Sequence, residues 1–170
     1  MKLVCALLIS LGAMFAQSVG ADAFKNEPTD FRGIEWGAAF ADHAEGLNLV
    51  RTDDDVLVYV RDSEGDVSDR NNFRKIAYRF YKNRFSAGII QTYGHEEKKR
   101  LRRTLISTYG EAERLSRRQE LDTWDGEAVQ IVLSCSVTSY CAAEFLSKDM
   151  IALEERETGK PVQVLQKDVD

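Results

Sequence analysis

The chain is poor in the groups with which proteins do chemistry. Its 170 residues include two histidines, three cysteines and two prolines. His43, in the stretch ADHAEG, and His95, at the start of a helical segment, read as surface residues rather than catalytic bases. No G-x-S-x-G turn presents a nucleophilic serine, and neither G-x-x-x-x-G-K nor G-x-G-x-x-G is present to cradle phosphate. A structural zinc site needs four ligands, and the histidines lie far from Cys135 and Cys141. Those cysteines have five residues between them, too many for the C-x-x-C of a thioredoxin-type redox centre. No cofactor and no metal is expected.

Long apolar runs are also missing, with one exception. Lys2 is followed by an apolar stretch from Leu3 to Ala16, about 14 residues against the ~18–20 that a spanning helix needs. A charged start, an apolar centre and small residues at Val19 and Ala21, or Ala21 and Ala23, make residues 1–23 a signal peptide cleaved after Ala21 or Ala23. An uncleaved anchor is the weaker alternative. Cys5 lies near the beginning of the apolar run, whereas a lipidated cysteine would stand at its end, so lipid anchoring is disfavoured. The expected location is periplasmic or secreted, and the protein is not expected to be integral to the membrane.

Positive charge is in deficit, with 23 basic against 28 acidic side chains and a net charge of −5. That balance argues against nucleic acid as a partner. What remains after the leader is the size of one domain, expected over residues 24–158 with a loosely ordered tail at 159–170. Once Cys5 has left, Cys135 and Cys141 are the whole cysteine complement, in a compartment where thiols oxidise, and they are expected to form a disulfide.

Periodicity supplies the elements. Residues 24–29 read as a polar leader to FRGIEWG, where Phe31, Ile34 and Trp36 suggest a short strand or irregular segment packed into the core. A ligand platform built from those aromatics is the sharper alternative. Residues 47–51 and 56–61 form a hairpin across the acidic turn 52–55. Residues 62–72 read as an exposed loop whose Asp62, Glu64, Asp66 and Asp69 invite a calcium hypothesis, although glycine and glutamate do not fall where an EF-hand needs them.

The hairpin 74–81 and 84–92 turns at Lys82 and Asn83. Pairing Tyr81 with Arg84 sets Phe80 against Phe85, Tyr78 against Ala87 and Ile76 against Ile89, with all six on one face. Gly94 introduces a helix from about His95 to Tyr109 with Leu101, Leu105, Ile106 and Tyr109 as its apolar stripe, closed by Gly110 in a left-handed conformation.

Asp125 and Gly126 turn between strands 121–124 and 127–135, and a further strand covers 140–146. Cys135 opposite Cys141 would put Leu133 across from Ala143 and Ile131 across from Phe145, on the buried side. Ser147 is the expected N-cap of a last helix over 148–157. The fold class is therefore α+β: an antiparallel sheet of about six or seven strands built from hairpins, one main helix on a face and a shorter C-terminal helix.

One local departure from average is basic. Lys98, Lys99, Arg100, Arg102 and Arg103 crowd the main helix, and Arg114, Arg117 and Arg118 follow. They could form a patch for an anionic envelope component or an acidic protein. The alternative is the ordinary solvated face of a helix, diluted by Glu96, Glu97, Glu111, Glu113 and Glu120.

The FRGIEWG opening, the FYKNRFSAGII hairpin, the TLISTYGEAER helix end and the WDGEAVQIVL strand together resemble uncharacterised exported domains of Gram-negative bacteria. Those are similar in carrying F-x-G-I-x-W-G, a Y-x-F-Y-K-x-R-F type hairpin, a helix ending in Y-G, and W-x-G before a strand. The likeness covers most of residues 31–146. It implies an exported α+β domain and transfers no catalytic residue, and the cysteine pair is not part of its pattern.

The expected function is an exported, non-catalytic binding or assembly protein acting through protein contacts or its basic helix. Two alternatives stand beside it: a small hydrolase using acidic residues near Asp122 and Asp125, and an envelope protein docking on anionic lipid.

Overall fold

A strand that is apolar at both odd and even positions needs cover on both of its faces. The run VLVYV at 56–60 is of this kind. The computed structural model, which describes residues 24–61, 64, 66–69, 72–116 and 120–162, provides that cover. The leader 1–23 and the tail 163–170 lie outside the described residues.

The chain forms Asp30–Phe31 (β1), Ile34–Glu35 (β2), Leu47–Asp53 (β3), Val56–Arg61 (β4), Asp66–Asp69 (β5), Asn72–Tyr81 (β6) and Arg84–Tyr93 (β7). His95–Tyr109 (α1) follows, then Glu113–Ser116 (β8), Leu121–Asp125 (β9), Val129–Cys135 (β10), Tyr140–Ser147 (β11) and Lys148–Thr158 (α2). β1 and β2 pair with each other. The other nine strands make one antiparallel sheet, in the order β3-β4-β6-β7-β11-β10-β9-β8, with β5 joined to β6. The α+β class and the hairpin construction hold, and the strand count is higher than the six or seven expected. The extra strands are β1, β2, β5 and β8, each of two to four residues, too short for an alternating pattern to register. β5 and the start of β6 occupy part of the 62–72 stretch that reads as loop.

α1 packs on one face. Its Leu101 and Leu105 join a core of Ile76, Tyr78, Phe80, Phe85, Trp124, Ile131, Leu133 and Phe145. The N-terminal segment enters the same core through Phe31, which lies on Gly88 so closely that a Cβ there would come within 2.2 Å of the ring. Trp36 stacks on Phe85 at 5.3 Å and donates its Nε1–H to the Pro28 carbonyl, so the FRGIEWG aromatics are packing groups. α2 lies over the opposite face, with Ile151 against Ala87, Val132 and Leu146.

The central hairpin departs from the expected register. Lys82 and Asn83 both take positive φ, as a two-residue type I′ turn requires, and Tyr81 faces Arg84 and Phe80 faces Phe85. Beyond them Ser86 is an extra residue: Arg79 pairs with Ala87, Tyr78 with Gly88, Ala77 with Ile89 and Ile76 with Ile90. Such a bulge moves every later side chain of β7 to the other face. Ala87 and Ile89 therefore leave the α1 core, where the sequence pattern placed them, and Gly88 and Ile90 take their places. The bulge is fixed by Arg79, which donates to Ser86 Oγ at 2.9 Å, and by the Ser86 hydroxyl, which donates to the Arg79 carbonyl at 3.1 Å.

Two cap details also differ. Gly110 has φ 89° with ψ −171°, open to glycine but outside the left-handed helical region. Ser147 precedes α2 without a side-chain capping bond; it is buried, and the Lys148 N–H goes to the Ala128 carbonyl.

Candidate functional site

On α1 and β8 the basic residues mostly meet carboxylates of their own chain. Lys98 reaches Glu120 at 2.6 Å, Lys99 reaches Glu96 at 3.3 Å and Arg100 reaches Glu97 at 3.3 Å. Arg102 and Arg114 converge on Asp122, which β9 points under α1 and which is 1% exposed. Arg114 Nε donates to Oδ1 at 2.9 Å, whereas Arg102 Nη2 stands 2.9 Å from Oδ2 as an ion pair without hydrogen-bond alignment. These two arginines thus fasten the helix and the edge strand to the sheet. Arg103 is exposed and forms no ion pair among the described residues, and Arg117 and Arg118 lie outside them. The patch expected from eight positions resolves into an outward group of Lys99, Arg100 and Arg103, with Arg102 and Arg114 turned to structural use.

Asp122 and Asp125 do not form an acid and base pair. Three residues apart on one strand, they point to opposite faces. Asp125 is exposed and meets Lys148 at 2.8 Å. Of the calcium candidates, Glu64 alone has a described side chain. Asp62 lies outside the described residues, and the carboxylate of Glu64 is already engaged. Oε1 accepts from Arg32 at 3.1 Å and from Arg61 at 3.3 Å, and Oε2 accepts from the Tyr78 hydroxyl. Burial pulls the Glu64 pKa upward, and the Tyr78 hydroxyl and the two guanidinium groups overcome it to hold the carboxyl below its usual value. Burial and then the Glu64 hydrogen bond push Tyr78 up to about 12. Among the described residues no group of three or more His, Cys, Asp or Glu is placed to hold a metal, and no helix is long and apolar enough to cross a membrane.

The disulfide is where the sequence placed it. Cys135 and Cys141 are bonded and face each other in the register that pairs Leu133 with Ala143 and Ile131 with Phe145. Cys141 is fully buried in the α1 core. The bond closes a loop whose tip is Val137, 96% exposed. Ser136 and Thr138 share a hydroxyl hydrogen bond of 2.8 Å, and the Ser136 N–H reaches the Tyr140 carbonyl at 2.7 Å. The Gly94 N–H reaches the Ser139 carbonyl at 3.1 Å, which sets the loop beside the first turn of α1.

No family model matches this chain, and comparison with curated proteins and with solved structures finds no match.

Three further groups escaped the sequence pattern. Glu27 accepts from the N–H groups of Glu127, Ala128 and Val129, closing the β9–β10 turn with a residue distant in sequence. A Cβ on Gly126 would meet the Glu27 carboxylate and the Phe24 ring, so a larger residue there must displace one or both. On the other face Arg79 reaches Glu154 of α2 at 2.6 Å, both buried. Between α1 and the sheet lies a cavity of about 150 Å³ whose lining includes the buried Thr92. A glutamate followed by proline gives no local signal of its long-range role.

Proposed function

We propose that this chain is an exported, non-catalytic binding or assembly protein of the periplasm or the extracellular space, which meets a protein partner at the end where the 136–139 loop adjoins α1. The observation that carries the reading is Val137, an apolar side chain held out at 96% exposure on a loop closed by a disulfide. Water gains by its removal, and a loop already ordered loses little further entropy when a partner covers it. The disulfide itself supports export, because cytosolic thiols are kept reduced. The likeness to exported domains and the leader-like residues 1–23 point the same way.

The test is capture of a partner from an envelope extract by the mature, oxidised protein. Val137→Asp is expected to reduce capture at least tenfold, about 1.4 kcal/mol, and the Cys135→Ser/Cys141→Ser variant to weaken it by a smaller factor. Capture unaltered by Val137→Asp overturns the reading.

A second reading, docking on an anionic envelope component, is favoured by the outward Lys99, Arg100 and Arg103. Adhesion to anionic vesicles should fall with Lys99→Glu/Arg103→Glu and vanish by roughly 0.5 M salt. Arg102 is unsuitable for this test because it holds the buried Asp122.

A further inference from the structure

On the face opposite α1, side chains stand in rows that run across the strands. The first row holds Arg79, Ala87 and Leu146, the second Ala77, Ile89, Glu144 and Val132, and the third Gln91 and Ala142. α2 is the described element that packs on this face, with Ile151 at Ala87 and Leu146 and Glu154 on Arg79. A helix is about 10 Å across and a strand advances about 3.3 Å per residue, so a helix over the first row ends near the second. The third row, about 13 Å away, is beyond it. Yet Ile89, Glu144 and Gln91 are each 2% exposed. A sheet face open to water leaves its central side chains wet on their outer side, so these rows have a cover that α2 does not supply.

The chain is already turning toward them where α2 ends. Gly159 closes the helix at a left-handed φ of 67°, and the Val162 N–H returns to Glu155 Oε1 at 3.0 Å. Val162 thus lies back alongside α2, next to the turn that sets Glu154 on Arg79 of β6. Eight residues follow, 163–170. Extended, they reach about 26 Å, whereas crossing from β6 over β7 and β11 to β10 takes about 14 Å at ~4.8 Å per strand. In an extended segment Leu165 and Lys167 project to the same side. Leu165 is the segment's largest apolar side chain and Lys167 its one cation. The second row offers their complement in the same order, Ala77 and Ile89 on β6 and β7 and then the Glu144 carboxylate on β11.

We propose that residues 163–170 are a strap across the second and third rows, with Leu165 on Ala77 and Ile89 and Lys167 at Glu144. Covering the aliphatic row removes it from water, and a buried carboxylate is tolerated when a cation is brought to it. Residues 1–23 are the other length of chain that could serve, and setting them aside rests on the exported reading, in which they leave with the leader. The strap replaces the loose tail that composition alone suggests for these residues.

Mature, disulfide-bonded protein with labelled Ile, Leu and Ala methyl groups is the sample, followed by NMR. Nuclear Overhauser contacts from Leu165 to Ile89 and Ala77 are expected within one chain. Leu165→Asp and truncation after Val162 should each move the Ile89 and Ala77 resonances, raise the binding of a hydrophobic dye, and lower the folding equilibrium constant by roughly tenfold or more. Lys167→Glu should lower it as well, whereas Asp168→Asn, on the other side of an extended segment, should leave it unchanged. Absence of the Leu165 contacts in wild type overturns the proposal. So does a truncated chain whose Ile89 and Ala77 resonances and stability match wild type. Contacts seen only between labelled and unlabelled chains overturn it in favour of a second copy as the cover. Failure of the exported reading shows separately, as native protein whose mass still includes residues 1–23.

Discussion

Over the α1 face the sheet is covered by rings. Phe31 lies among Tyr78, Phe85 and Phe145 with centroid separations of 5.1 to 6.3 Å, and Trp36, Phe40 and Tyr59 extend the cluster. Over the α2 face the same strands present aliphatic side chains, Val58, Ala77, Ala87 and Ile89, and an ion pair, Arg79 with Glu154. The two coverings teach different things about how a helix is held. Ring packing is strong but tolerant in direction, so α1 is seated by area and then oriented by Arg102 and Arg114 at Asp122. α2 contributes few large side chains, and its position over the sheet is set by bonds with fixed geometry: Arg79 to Glu154 at 2.6 Å and the Tyr81 hydroxyl to Glu157 at 2.6 Å.

The widest gap between the faces should appear on removing Phe31. Phe31→Ala is expected to cost about 3–5 kcal/mol in denaturant unfolding, and Gly88→Ala about 1–3 kcal/mol through overpacking. The double variant should cost less than the sum, because the lost ring leaves space for the methyl group. Strict additivity would show that the ring and Gly88 are not in contact.

On the α2 face the expected pattern is inverted. Glu154→Ala strands a buried guanidinium and should cost about 3 kcal/mol, whereas Arg79→Met/Glu154→Leu removes both charges and should cost less, what remains being the lost Arg79 bond to Ser86. The second oxygen of Glu154 has no hydrogen bond, so the pair is imperfectly compensated even when intact. A double variant as damaging as the single one would make the ion pair a net source of stability and erase the contrast.

The smallest effect is in the segment that delivers Phe31. Burial raises the Glu27 pKa, but three backbone N–H groups and Lys148 outweigh it and hold the carboxyl below its usual 4.5. The ionised form is therefore the one folding favours. Its contribution is complete above about pH 4.5 and is lost as pH falls through the lowered value. Glu27→Gln should cost about 1 kcal/mol at neutral pH and show a weaker fall in stability than wild type between pH 5 and 3. Parallel pH curves for the two proteins would remove Glu27 from the account.

What the sequence revealed divides along similar lines. Leu101, Leu105 and Tyr109 define α1 because a four-residue repeat has one structural meaning, and Cys135 with Cys141 defines a register because the flanking apolar pattern agrees with it. Ser86 was illegible: nothing in RFSAGII marks one residue as supernumerary, and alternation read through the bulge gives the wrong face for Ala87 and Ile89. The basic cluster was legible as charge but not as pairing, since the carboxylate that binds Arg102 lies on a strand twenty residues later.

The bulge at Ser86 makes the hairpin sensitive to length in a way that no substitution reproduces. Deleting that residue would invert the parity of the rest of β7, turning Gly88 away from Phe31 and Ile90 out of the α1 core while sending Gln91 towards α1. One codon fewer would thus unseat the aromatic cluster, although every other side chain in the protein remained unaltered.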